Sequence, residues 1–326
     1  MNKNLVFYIV LSVCIVVSFG FTCFYFMKAL NYTVTVTAEQ AKLSHDYHFV
    51  LIGQEFDNPY HKKVLEGAQT AAKEHDVLLE FIGPKQTNID EHTKLIEMAI
   101  AARVDGILTQ GLTNREFKPV IDKAISKGIP VITIDTDLED SRRVAYVGTN
   151  NYEAGKQMGE ALAEATNGEA KVAIVTGILY ANNLMERVQG FLDVIENYPD
   201  IEVVAMESSN ISQIQAAEKT YQMLRNHPEV TAFFGTSALD GIGIAQAVTK
   251  ANLQEDILIF AFDDLEETME LVEQEKIFAT LKQEPYEMGY QGVSLLVQTM
   301  KGQPIPKINY TSLEVLYKKR VGEIDE

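Results

Sequence analysis

Tryptophan is absent from the sequence, and cysteine is nearly so. Both cysteines, Cys14 and Cys23, lie inside one apolar stretch near the N-terminus. The rest of the chain therefore has no thiol to form a disulfide, hold a metal or attack a substrate. Any aromatic platform for a ligand must come from Phe, Tyr or His. Positive charge is scarce: 28 Lys and Arg stand against 46 Asp and Glu, a net charge of −18. A basic footprint for nucleic acid is missing, and a phosphate-rich partner is repelled. The acidity reads as a solvated surface. It disfavours an anionic ligand and leaves a neutral polar one open.

Signatures of catalysis and of cofactors are also lacking. The glycines of "GTSALDGIGIA" do not fall in the G-x-G-x-x-G spacing of a dinucleotide site. There is no P-loop and no G-x-S-x-G elbow. The histidines show no metal-ligand spacing. "DTDLEDSRRVAY" begins like a calcium loop but lacks Gly at the sixth place and Glu at the twelfth. Neither a resident cofactor nor a metal is expected, and no nucleophile is assembled with a base. The sequence reads as a binder, not an enzyme.

What is present begins with a charge-free span from Leu5 to Met27. As a helix at ~1.5 Å per residue it reaches about 35 Å, enough to cross a bilayer. A cleaved signal peptide has a core of roughly 7–15 residues, and "FMKALN" is a poor cleavage site. A lipoprotein signal wants a small residue just before the cysteine, and neither cysteine has one. Residues 5–28 are therefore expected to be an uncleaved membrane anchor. Lys3 on the short side places the remainder outside the cell, with Lys28 weakening the asymmetry. Residues 29–46 read as a polar stalk.

From Tyr47 onward apolar runs alternate with amphipathic stretches. "YHFVLIG", "VLLEFIG", "DGILTQG", "PVITIDT" and "VAYVGT" read as strands. A second series follows in "KVAIVTG", "IEVVAME", "VTAFFGT" and "ILIFAFD". Helical spacing between them places Tyr60, Val64, Ala68 and Ala71 on one face, and Ile89, Ile96 and Ile100 on another. Helices are expected at about 152–165, 181–197, 211–226 and 238–251 in the second series. Alternating strands and helices imply parallel sheets covered on both faces, in two similar α/β lobes.

In such sheets a ligand sits beyond the carboxyl ends of the strands. Two apolar runs end there in acid: "IPVITIDTDLED" at Asp135 and "ILIFAFDDLEE" at Asp263. Facing each other across a cleft, these carboxylates would accept hydrogen bonds from paired hydroxyls, as a sugar offers. The competing use of a strand-end Asp is to cap a helix or close a turn. Asp137, Glu139, Asp140 and Asp264 read as solvated loop charges.

"EFDNPYHKKVLEGAQTAA", "VDGIL", "KGIPVITIDTD", "YVGTNNYEAGKQMGEAL", "ERVQGF" and "IFAFDD…EKIFATLKQEPYEMG" together resemble the ribose/galactose class of type I periplasmic sugar-binding proteins. The resemblance runs from about residue 47 to 318. It implies two Rossmann-like lobes joined by three hinge crossings, near Asn150, Gln283 and Ser312. The first lobe would be 47–149 plus 284–311, and the second 150–283 plus 312–320.

The resemblance also implies a set of ligand contacts. Asn58 would hydrogen-bond the sugar, and Tyr60 would lay its ring on the sugar's C–H face. His61 stands in place of the usual Phe, able to stack or to hydrogen-bond. Asp135 would accept from hydroxyls, with Thr136 where ribose binders often carry Arg. Arg187 would hold sugar oxygens in its fork. Phe262 and Asp263 match the family's "GFD", with Ala261 for its Gly. Gln283 lies at the hinge. Gln110 replaces an Asn, and Ser237-Ala238 replace Asn-Asp, so one polar contact is missing there.

The implied function is capture of a small neutral sugar outside the cell by closure of the lobes. Two membrane partners are consistent with closure: a sensor histidine kinase, favoured by an uncleaved anchor, or an ABC permease. A repressor effector domain shares the fold, but it would need an N-terminal helix-turn-helix where the greasy span stands.

Overall fold

The computed structural model describes residues 17–22, 25 and 45–318. Residues 17–22 and 25 are helical. The rest of the span read as a membrane anchor, and nearly all of the stalk, lie outside the described residues. Among the described residues no helix is long and apolar enough to cross a membrane. The chain divides into a unit of residues 1–46 and a compact unit of 47–326. The fold below is that of the second unit.

Its first half runs β1 (Tyr47–Ile52), α1 (Pro59–Glu74), β2 (Val77–Ile82), α2 (Ile89–Ala102), β3 (Gly106–Thr109), α3 (Asn114–Ser126), β4 (Val131–Ile134) and β5 (Ala145–Gly148). The strands are buried on both faces where they are apolar throughout: β3, β4 and β5 have no exposed residue. Helices start where a short polar side chain satisfies an orphan N–H. Asn58 does this for α1, Asn88 for α2 and Thr113 for α3. The sheet order β11-β5-β4-β3-β1-β2 includes β11 (Ile308–Tyr310), which arrives from the far end of the chain.

The second half repeats the plan. It runs α4 (Asn151–Ala165), β6 (Glu169–Thr176), α5 (Asn182–Ile195), β7 (Asp200–Ser208), α6 (Gln213–Asn226), β8 (Ala232–Gly235), α7 (Asp240–Lys250), β9 (Leu258–Phe262), α8 (Glu266–Glu273) and β10 (Ala279–Lys282). After it come α9 (Pro285–Met300), β11 and β12 (Glu314–Tyr317). The second sheet has the order β12-β10-β9-β8-β6-β7. All pairings are parallel except β10 with β12.

The chain passes between the sheets three times: after β5, after β10 and between β11 and β12. Each sheet is covered on both faces. Side chains of α1 and α9, among them Val64, Ala68, Met288 and Leu296, pack one face of the first sheet. Ile96, Ile100, Phe117 and Ile121 of α2 and α3 pack the other. In the second lobe Ala154, Met158, Val188 and Phe191 of α4 and α5 take one face, and Ala216, Ile244 and Val248 of α6 and α7 the other.

Two helix pairs touch backbone to backbone. A Cβ on Gly289 would stand 1.9 Å from the Val64 carbonyl, which brings α9 down onto α1. A Cβ on Gly155 would stand 2.0 Å from the Arg187 carbonyl, and one on Gly190 2.0 Å from that of Tyr152. Only residues without a Cβ permit α4 and α5 to meet so closely, and that contact fixes where Arg187 begins.

Candidate ligand-binding cleft

Both strand-end aspartates turn out of the sheet in the same way. Asp135 follows β4 with φ +60°, and Asp263 follows β9 with φ +70°. This left-handed region is open to Asp and Asn at modest strain and closed to β-branched residues. Each backbone N–H is held by the neighbouring strand: Asp135 donates to the Val147 carbonyl (3.0 Å) and Asp263 to that of Leu281 (2.8 Å). Each carbonyl receives a hydroxyl from the same neighbour, Tyr146 (2.8 Å) and Thr280 (2.8 Å) respectively. The turn redirects both carboxylates into the space between the lobes. Neither caps a helix.

A cavity of about 60 Å³ lies there, lined from both lobes. The lobes stand close around it; Asn182 of the second lobe donates to the Asp137 carbonyl of the first at 3.5 Å. Asn58, Tyr60, His61 and Asp135 line it from the first lobe, and Arg187, Ser237, Asp263 and Gln283 from the second lobe and the hinge. Gln110 and Phe262 stand behind this layer.

In the first lobe Asp135 is 6% exposed and is fixed by its neighbours. The Tyr60 hydroxyl donates to Oδ1 (2.9 Å), and Gln110 Nε2 (3.4 Å) and Thr136 Oγ1 (3.3 Å) donate to Oδ2. Gln110 Nε2 also lies 2.8 Å from His61 Nε2. His61 Nδ1 lies 3.1 Å from the Glu55 carbonyl and 3.3 Å from the Glu55 amide, which donates to it. Burial pushes the His61 pKa down and keeps the ring neutral. His61 is thus hydrogen-bonded within the lobe, its ring edge-on to Tyr60. Burial, and then the charge of Asp135, push the Tyr60 phenol far above its ordinary pKa, so it remains a donor. Asn58 accepts from the Tyr60 amide (2.9 Å) as the cap of α1, and its Nδ2 reaches Glu55 (3.3 Å).

In the second lobe Arg187 is 2% exposed. Its fork is largely engaged by the protein: Nε donates to Asn151 Oδ1 (2.9 Å), Nη1 to the Thr236 carbonyl (2.8 Å) and Nη2 to Gln283 Oε1 (2.7 Å). The guanidinium lies 4.2 Å over the Phe262 ring, a cation–π contact. Among the described residues, two of its five N–H bonds stand outside these contacts. Gln283 passes a hydrogen bond on to Asp263 Oδ1 (2.7 Å) and receives one from Thr149 (2.6 Å). Asp263 is 4% exposed. Burial pushes its carboxyl up to about 7, against the opposing pull of Arg187 and Gln283.

The cavity also takes in residues that the sequence pattern did not single out. Gln54 and Glu55 line it just after β1, and Asn183, Leu184 and Ile211 line it from the second lobe. The rule that ligands sit beyond strand ends could have found Gln54 and Glu55, because only Gly53 separates them from the apolar run of β1. Asp137 corrects the reading of a solvated loop charge. It is half-buried and pairs with Arg143, while accepting from Thr133 Oγ1 (2.7 Å) and the Leu138 amide (2.6 Å). Among the described residues no group of His, Cys, Asp or Glu is arranged to hold a metal ion.

Two parallel-sheet lobes, three crossings and, at the strand ends between them, a cavity edged by polar and charged side chains define a two-lobed ligand-binding protein. The family comparison agrees: residues 49–304 match the periplasmic binding protein domain. The chain belongs to the type I periplasmic sugar-binding protein family. The ribose import binding protein of Bacillus subtilis is 23% identical over 77% of this chain and 81% of its own length. The D-apiose import binding protein of Paraburkholderia graminis is 25% identical over 90% and 93%. Among solved structures, GanP, a glucose-galactose binding protein from Geobacillus stearothermophilus, is 50% identical with a TM-score of 0.82, covering 85% of this chain and 99% of its own. XylFII in complex with LytSN is 36% identical with a TM-score of 0.80, covering 83% and 98%.

Proposed function

We propose that this chain is an extracytoplasmic sugar receptor whose lobes close on a hexose or pentose and whose closed form engages a membrane partner. The observation that carries the reading is the pair Asp135 and Asp263, aimed from opposite lobes into one cavity beside Tyr60 and Arg187. Carboxylates accept only, and vicinal sugar hydroxyls are donors of matching number. A ligand gripped from both sides stabilises the closed arrangement by its differential contacts. The likeness to GanP favours an aldohexose such as glucose or galactose. The reading is one of binding without catalysis: among the described residues Ser237 Oγ in the cavity has no hydrogen-bond partner to activate it.

The foremost partner in this reading is a sensor histidine kinase, with the charge-free span Leu5 to Met27 as an uncleaved anchor that keeps receptor and kinase in one membrane. The likeness to XylFII, which is known in complex with LytSN, supports it. An ABC permease is the second reading, favoured by the import binding proteins among the relatives.

A thermal-shift screen of the full chain in detergent against D-glucose, D-galactose, D-xylose, L-arabinose and D-ribose tests the ligand. A shift with at least one sugar is expected, and none with any of them sinks the reading. Intact-mass analysis of membrane-extracted protein tests the anchor; a species beginning near Cys14, Cys23 or Leu30 would refute it. Co-purification of the membrane-extracted chain with a sensor histidine kinase or with an ABC permease separates the partners.

A further inference from the structure

Ser237 and Ala238 line the cavity just after β8. Three residues on from Ser237, a carboxylate is buried behind this wall. We propose that Asp240 is a positioning residue for ligand recognition, clamping the loop so that the Ser237 hydroxyl is presented to a hydroxyl of the bound sugar. The inference rests on the sugar reading of the cavity.

Asp240 is wholly buried at the start of α7. Its Oδ2 accepts from the Ser237 amide (2.8 Å) and its Oδ1 from Ser209 Oγ (2.5 Å). Ser209 in turn accepts from the Ile211 amide (3.2 Å) on its Oγ and donates its own amide to the Thr176 carbonyl (2.8 Å). One carboxylate thus ties together the ends of β6, β7 and β8. Both loops it holds reach the cavity, one through Ile211 and the other through Ser237 and Ala238.

Among the described residues Asp240 has no ion-pair partner. Burial raises its carboxyl to about 6, opposed by the hydrogen bonds from Ser209, Ser237 and Thr236. A lone carboxylate away from water is a costly way to close a turn. An ordinary turn would be closed by Ser or Asn exposed to solvent. What this clamp leaves in place is Ser237 Oγ, buried, on the cavity wall and without a hydrogen-bond partner among the described residues. Unpaired buried polar atoms are rare and call for an occupant. A hydroxyl both donates and accepts, so it matches a sugar hydroxyl better than it matches a charged group.

The test is calorimetric titration of the full chain with whichever of D-glucose, D-galactose, D-xylose, L-arabinose and D-ribose gives the largest thermal shift. Ser237→Ala is expected to weaken binding about tenfold, the loss of one hydrogen bond. Asp240→Asn keeps the shape but has one accepting oxygen fewer, and is expected to lose about as much. The double variant Ser237→Ala/Asp240→Asn should bind no more weakly than either single variant, because both act through one hydroxyl. Ser209→Ala, which leaves Asp240 and Ser237 in place, should lose about threefold and serves if Asp240→Asn fails to fold. Wild-type affinity in Asp240→Asn, additive losses in the double variant, or an unchanged Ser237→Ala overturns the proposal. Wild-type protein that binds none of the five sugars overturns the sugar reading itself, a different outcome.

Discussion

Gln283 stands between Arg187 and Asp263 and bonds to both. Its carboxamide oxygen accepts from Arg187 Nη2 and its nitrogen donates to Asp263 Oδ1, each at 2.7 Å. The same oxygen accepts from Thr149, so the side chain also links two of the crossings between the lobes. Orientation of the ligand-facing charges and geometry of the hinge therefore share one amide.

Gln283→Ala removes all three bonds and leaves Arg187 and Asp263 partly unsatisfied. Hydrogen bonds to charged groups are worth about 1.5–3 kcal/mol, so a loss of roughly 3 kcal/mol in the ligand-free protein is expected. Denaturant unfolding reads it. A loss under about 0.5 kcal/mol would mean that water replaces the amide without penalty.

Asp263 predicts a proton linkage. An ordinary Asp titrates near 3.8, and burial raises this one to about 7, with Asp135 and Asp264 adding to the effect. The folded state thus binds a proton that the unfolded chain releases. This contribution to stability is full below pH ~4 and is lost as the pH rises toward ~7. Asp263→Asn, which tolerates the positive φ, should flatten that part of the melting-temperature profile relative to wild type. A sugar hydroxyl donating to Asp263 favours the ionised form, so binding should release protons near neutral pH and tighten from about pH 6 to 8. Titrations in buffers of different ionisation enthalpy count the protons. Equal proton counts for wild type and Asp263→Asn would exclude Asp263 as the acceptor.

Closure has an electrostatic opponent. Glu186 on α5 shares a side cavity of about 320 Å³ with Asp137, Glu139 and Asp140 of the first lobe. Burial, then Asp137, raise the Glu186 carboxyl above its usual range, with Arg187 pulling the other way. Bringing the lobes together brings these like charges together. Glu186→Gln should tighten sugar binding by about two- to fivefold at low ionic strength. The advantage should fade at about 0.5 M salt, where screening shortens to a few ångströms. An advantage independent of salt would point to a cause other than charge.

Gly155→Ala places a methyl group on the Arg187 carbonyl. Separating α4 from α5 to admit it is expected to cost about 1–3 kcal/mol of stability and to weaken sugar binding, because Arg187 moves with its backbone. Thermal unfolding and titration of the same sample would expose a variant that loses neither.

The strand–helix alternation was legible in the sequence because buried parallel strands are unbroken apolar runs and their helices carry 3.6-residue periodicity. Asp135 and Asp263 were legible for a related reason: acid at the end of a buried run stands out. The number of donors a ligand finds free was not. Arg187 shows its charge in the sequence, but not that Asn151, Thr236 and Gln283 already take three of its N–H groups. Asp137 looked like its exposed neighbours until Arg143 folded back onto it from six positions on. Asp240 was hidden more deeply, since an Asp opening a helix is what any capped helix offers. Its burial depends on β6, β7 and β8 ending together, which sequence spacing does not express.

The placement of α9 and β11 has a consequence for how the molecule is made. The first lobe draws one helix of its covering layer and one edge strand of its sheet from residues 285–310, which follow all of the second lobe except β12. Synthesis delivers the second lobe's sheet, apart from β12, before these pieces exist. The lobe that begins first is therefore completed after its partner's main sheet. Until α9 arrives, the apolar face of α1 around Val64 and Ala68 has no helix to lie against, so this face is where a chaperone would hold the nascent chain longest.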